Sequence, residues 1–226
     1  RAVRTGLELA GLVVLQVFIN EEILFLTAVT LMLFGLFLAV NQPSAILPHL
    51  RRALAGGAVC AGVAGAVLAY PLWFQFCGPM AYRGLPEFVL GYGTDLAAFW
   101  SRGSESLFGS VGDLQRLSQG PTEENTFFGS GLLVVLAMIL IWRFRDPVMR
   151  ALALTATGIA ALSLGTEITI DGRKTGVTGP WAAVHELPIF DSVVPTRISL
   201  FVTPIVAVVL ALALEAASHP QIAAVT

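Results

Sequence analysis

Between Leu9 and Val40 the chain is apolar except for two adjacent carboxylates, Glu21 and Glu22, inside "QVFINEEILFL". A charge at the centre of a bilayer costs from a few to more than ten kcal/mol, so a pair must serve a function or lie away from the centre. Taken as one helix, the run of 30-plus residues would be about 48 Å long, well beyond a hydrocarbon core of roughly 30 Å. Taken as two helices, "NEE" is the tip of a tight hairpin. A partly re-entrant pair is the third arrangement, and all three confine the chain to a membrane.

The composition agrees with that setting. Of 226 residues, 56% are hydrophobic and 12% charged, and mean hydropathy is +0.79, whereas a soluble domain is about 25% charged. The expected fold is an all-α membrane protein with about six transmembrane helices. Net charge is −2 and Lys174 is the sole lysine, so no basic face suits a phosphate backbone and nucleic acid is not an expected partner. Cys60 lies inside an apolar segment and Cys77 at or beyond its end, which reads as packing, not a disulfide framework.

Apolar segments run from about Gly6 to Ile19, Ile23 to Val40, Ala53 to Phe74, Phe127 to Trp142, Val148 to Leu164 and Ile198 to Leu214. Arg1 and Arg4, Arg51 and Arg52, and Arg143, Arg145 and Arg150 fall in the short connections, seven of the thirteen basic residues. The positive-inside rule makes those connections cytoplasmic. Both termini are then cytoplasmic, "NEE" faces outward, and two long extracytoplasmic loops remain, residues 75–126 and 166–197. We treat residues 1–226 as a single transmembrane domain. The chain starts at Arg1 without a signal-peptide pattern, and it reads as a piece of a longer polypeptide.

Within the spans, small residues such as Ala58 with Gly62 and Ala61 with Gly65 stand one turn apart, as helix packing requires. In the first loop, Tyr70 and Trp73 suit an aromatic belt, and Gly and Pro turns present Arg83 from a rigid segment, where an anionic lipid group would meet it. "DLAAFWSRGSESLFG" places Leu96, Phe99, Trp100 and Leu107 at helical spacing, an amphipathic surface helix with Asp95 near its positive end. Thr122, Glu123 and Glu124 read as the start of the next span. In the second loop, alternation from Thr166 to Ile170 followed by Asp171-Gly172 predicts a small β-hairpin. A short helix is expected from Trp181 to Leu187. Arg197 opens the last span near the positive end of a helix dipole, and it needs Asp191, Glu186 or a bound phosphate as its anion. His185 has no second histidine on its side, and neither a metal nor a cofactor is expected. No phosphate cradle or nucleophile elbow occurs.

At "PLWFQFCGP", "PTEENTFFG" and "PWAAVHELPIFDSVVPTRISLFV" the sequence resembles the C-terminal half of large polytopic membrane proteins of high-GC bacteria, similar to the GT-C glycosyltransferase superfamily. The resemblance implies inverting sugar transfer from a polyprenyl-phosphate sugar at the outer face of the plasma membrane. It also implies a general base in the first outer loop of an N-terminal portion that this chain lacks, so the catalytic residues are not identified here. Candidate substrate-binding residues are Glu21, Glu22, Arg83, Asp191 and Arg197. The expected partners are membrane lipids and the donor lipid. Two other functions fit the same residues: a transporter or flippase component for lipid-linked sugars, and a non-catalytic scaffold. A transporter would expose "NEE" or Arg197 to each side in turn, whereas an enzyme would keep both reachable from outside.

Overall fold

A computed structural model describes residues 1–79, 81, 86, 89, 91–118 and 126–218. The chain is mainly helical and divides into two compact units, Arg1–Gly84 and Leu85–Thr226.

The first unit contains α1 (Ala2–Ile19), α2 (Glu21–Asn41) and α3 (Pro43–Cys77). The long apolar run is broken at Asn20, whose backbone is extended (φ −166°, ψ 108°). Asn20 caps α2, its side chain accepting a hydrogen bond from the Ile23 amide at 3.0 Å. Glu21 and Glu22 occupy the first turn of α2, where free amides and the positive dipole end favour carboxylates. Starting at Ala2, α1 is longer than its apolar stretch, about 27 Å at 1.5 Å per residue. The Arg4–Glu8 ion pair in its second turn, 2.9 Å, removes the net charge that this extension would otherwise carry.

Helices α1 and α3 run parallel. A side chain on Gly56 would meet the Ala2 carbonyl, and Gln75 donates to Glu21; the sequence offset is 54 at both places. Gly6 makes the approach possible, because a Cβ there would lie 2.5 Å from the Gly56 carbonyl oxygen. Ala10, Cys60, Ala64 and Leu68 form the buried seam, joined by Val13, Val14, Val17 and Leu72. Cys60 is thus a packing residue. Connectivity makes α2 antiparallel to both neighbours, so "NEE" sits at a helix-to-helix turn and the single-long-helix arrangement does not occur. The helix α3 also runs back through Arg51 and Arg52 to Pro43, which stands at its N1 position, where proline costs no hydrogen bond.

Among the described residues, the second unit holds three apolar helices under a folded cap of loops. These are α5 (Ser130–Trp142), α6 (Pro147–Ser163) and α8 (Val202–Ser218). The last is entered through α7 (Pro195–Ile198) and one 3-10 turn, and together they form a 24-residue apolar stretch, Pro195–Ser218. Asp146 caps α6, accepting from the amides of Val148 and Met149, with Pro147 at N1. Met149, Leu152, Thr155, Ile159 and Ser163 make the buried stripe of α6, and Val202, Ile205, Val209 and Ala213 that of α8. The helix α5 buries none of its residues. Spacing of three and four along α6 and α8 is what turns an apolar segment into a one-sided packing surface.

Among the described residues, four helices are long and apolar enough to cross a membrane: α1, α2, α3 and Pro195–Ser218. The other two apolar segments form the shorter helices α5 and α6, of 13 and 17 residues.

Candidate functional site

The most elaborated polar structure lies in the cap of the second unit, and it is built around Asp95. This carboxylate is 3% exposed. It caps a 3-10 turn, Leu96–Trp100, accepting from the Ala97 amide at 2.8 Å. The same carboxylate reaches the tip of a β-hairpin formed by β1 (Glu167–Ile170) and β2 (Arg173–Thr178), where the amides of Asp171 and Gly172 donate to it at 2.9 and 2.7 Å. Three amides on two oxygens of a buried carboxylate are charge-assisted hydrogen bonds. Asp95 is therefore an anchor, and it has no free face from which to take a substrate proton.

The hairpin takes the form expected from its sequence. Asp171 and Gly172 both have positive φ, 55° and 75°, the turn geometry that an Asp-Gly pair supplies at least cost. Arg116, on the short helix α4 (Val111–Leu117), pairs with Asp171 at 2.7 Å and with Asp113 at 3.0 Å.

Two backbone crossings close the cap onto the helices. The Thr94 amide donates to the Ser163 carbonyl at the end of α6, and the Thr196 amide donates to the Tyr92 carbonyl. These crossings are tight because glycines line them. A Cβ on Gly93 would stand 2.3 Å from the Leu164 carbonyl oxygen, one on Gly165 (φ +80°) 2.8 Å from the Gly93 Cα, and one on Gly179 2.2 Å from the Gly165 carbonyl oxygen. Thr94, Ser163, Thr196 and Ser199 are buried there. Ser163 and Ser199 satisfy their hydroxyls on the carbonyls of Ala160 and Thr196. Trp181, in the 3-10 turn Pro180–Ala183, is 1% exposed and packs on Phe190 with ring centres 5.5 Å apart.

Some loop expectations change. The amphipathic helix from Leu96 to Leu107 is only the five-residue 3-10 turn, because the chain turns at Ser101 and passes through Gly103 and Gly109. A Cβ on Gly109 would stand 2.1 Å from the Gly103 carbonyl oxygen. Leu107 is 98% exposed and shares no face with Phe99, which stacks on Phe128 at 6.4 Å. The helix expected from Trp181 to Leu187 is likewise a 3-10 turn that ends at Ala183.

The sequence-derived candidates separate into different settings. Glu21 and Glu22 begin α2 in the first unit. Asp191 lies in the 3-10 turn Phe190–Ser192 of the cap, half-buried and accepting from the Ser192 hydroxyl at 3.1 Å. Arg197 is exposed in α7. Between these two, Val193, Val194, Pro195 and Thr196 are all buried, so a rigid link sets the positions of both side chains. Arg83 lies outside the described residues, as do Thr122, Glu123 and Glu124. His185 approaches Glu186 at 4.0 Å and contacts the Ala182 carbonyl. Among the described residues no three of His, Cys, Asp and Glu gather as metal ligands.

Sequence reasoning missed the anchoring role of Asp95 and the threonine and serine crossings. The only local signal was an Asp before a short apolar run, which marks a cap but does not name a partner some 76 residues away. No family model, curated protein or solved structure matches this chain.

Proposed function

We propose that this chain is the C-terminal membrane portion of a GT-C-like glycosyltransferase that uses a polyprenyl-phosphate sugar at the outer face of a bacterial plasma membrane. The observation that supports this most directly is the cap: loops from two distant parts of the second unit are locked together at the end of α6, and they present an exposed Arg197 on a rigid link. In this reading Arg197 meets the lipid phosphate of the donor, whose negative charge grows as the sugar leaves. Asp191, at the other end of the link, orients the acceptor or the arginine. Glu21 and Glu22 stand in the first turn of α2 and line the outer surface.

The six apolar helices are six spans, the short α5 and α6 being accommodated by local thinning of the bilayer. The arginine-rich connections face the cytoplasm, and the general base comes from a preceding part of the polypeptide. In the intact protein, Arg197→Ala should lower donor-lipid use by about tenfold or more, as loss of a charge-stabilising donor does, with folded yield kept. The control is Arg173→Ala, an exposed cation on β2, which should change neither. Equal loss of activity and folded yield in Arg197→Ala would make Arg197 purely structural.

A further inference from the structure

The turn between α5 and α6 carries a second feature, independent of the cap. An apolar cleft of about 390 Å³ opens there, lined by Leu140, Ile141, Phe144, Met149 and Leu154, with Ala153 at its wall. That volume falls among the roughly 300–1,000 Å³ typical of small-ligand sites. Its one charged lining group is Arg150, whose Nε is covered and has no hydrogen-bond partner.

The surrounding charges are unbalanced in one direction. Arg143 is neutralised by Asp146 at 2.7 Å and lies over the Trp142 ring. Arg145 is exposed and, among the described residues, neither it nor Arg150 has a carboxylate partner. Two cations thus remain beside an apolar cleft. Trp142 and Phe144 are 57% and 65% exposed, which is how aromatic side chains stand at a membrane–water boundary. An apolar slot with an arginine in its wall, that arginine's charge unpaired beside it, is complementary to one kind of molecule: a lipid with an acyl chain and a phosphate.

We infer that this cleft holds an anionic phospholipid, its acyl chain against Leu140, Ile141 and Leu154 and its phosphate on Arg150 and Arg145. The bound lipid supplies the anion that the protein omits. It also fills a void beside α5, a helix with no buried residue of its own.

The test is lipid retention by the full chain taken from nanodiscs containing equal amounts of phosphatidylglycerol and phosphatidylcholine, read by native mass spectrometry. The wild type should retain phosphatidylglycerol in preference by roughly fivefold or more, since each arginine near an anionic surface contributes about that factor. Arg150→Gln should bring the preference down to that of the bulk mixture. Ala153→Phe, which fills the cleft while keeping both arginines, should abolish retention of either lipid. Added inorganic phosphate should not displace the lipid. Equal retention of the two lipids by the wild type, or an unchanged preference in Arg150→Gln, would overturn the inference. Displacement by inorganic phosphate would also overturn it, since the site would then recognise free phosphate. If Arg150→Gln fails to fold, Arg145→Gln with Ala153→Phe decides the matter by the same readout. Neither substitution touches the cap, so failure here leaves the glycosyltransferase proposal standing, and the reverse also holds.

Discussion

Two acidic positions illustrate how differently a carboxylate serves an apolar chain. Glu21 and Glu22 interrupt a long hydrophobic run and dominate the sequence by eye. Yet their work stays within the first unit: they sit in the first turn of α2 behind the Asn20 cap, and Glu21 receives the Gln75 side chain. Asp95, in a polar loop, looks ordinary. It is nonetheless 3% exposed and joins two segments of the second unit through three backbone amides. A visible charge can be peripheral to stability, and an inconspicuous one can hold a whole substructure. What separates them is the burial of the carboxylate itself and the number of chain segments that it joins.

The comparison can be broken by mutation. Asp95→Ala should cost most, because it removes three charge-assisted hydrogen bonds, from the amides of Ala97, Asp171 and Gly172; at about 1.5–3 kcal/mol for each, less what the exposed hairpin tip regains from water, a loss of roughly 3–5 kcal/mol is expected. Hydrogen exchange at Asp171 and Gly172 should rise to that of exposed loops. Protection unchanged at those amides would remove Asp95 from its central place. At the first site Asn20→Ala should cost about 1 kcal/mol, the usual worth of an N-cap, seen as faster exchange at the Ile23 amide with α3 unaffected. Smallest of all, Glu21→Gln keeps an oxygen for Gln75 and loses only the dipole interaction, about 0.3–1 kcal/mol. A larger effect from Glu21→Gln than from Asp95→Ala, measured by denaturant melts in the same detergent, would invert the ranking.

How far the sequence foretold this architecture follows from the range of each interaction. Helices α1, α2, α5, α6 and α8 were legible because an apolar run long enough to fill a bilayer, or most of one, has few ways to satisfy its amides other than helically. The break at Asn20 was legible because two charges and a capping side chain coincide. The β-hairpin was legible because Asp171-Gly172 carries the positive φ values within two residues. The helix boundary at Pro43 was not: Arg51 and Arg52 marked a loop by charge, whereas arginine has good helix propensity and α3 continues through it. The amphipathic reading of residues 96–107 failed because periodicity gave no weight to Gly103 and Gly109. Asp95 went unrecognised because its hairpin partners lie 76 and 77 residues away. The close approaches of Gly93, Gly165 and Gly179 have no local signature either, since a glycine in a loop looks the same with or without a neighbouring backbone against it.

The measurement that bears most directly on the functional account is the sidedness of the cap. A cysteine at Arg173, exposed on β2, in a Cys77→Ser background leaves buried Cys60 as the other thiol. A membrane-impermeant maleimide added to intact cells should label it fully, with no increase after permeabilisation. Labelling only after permeabilisation would put the cap on the cytoplasmic side and contradict sugar transfer from a lipid-linked donor at the outer face.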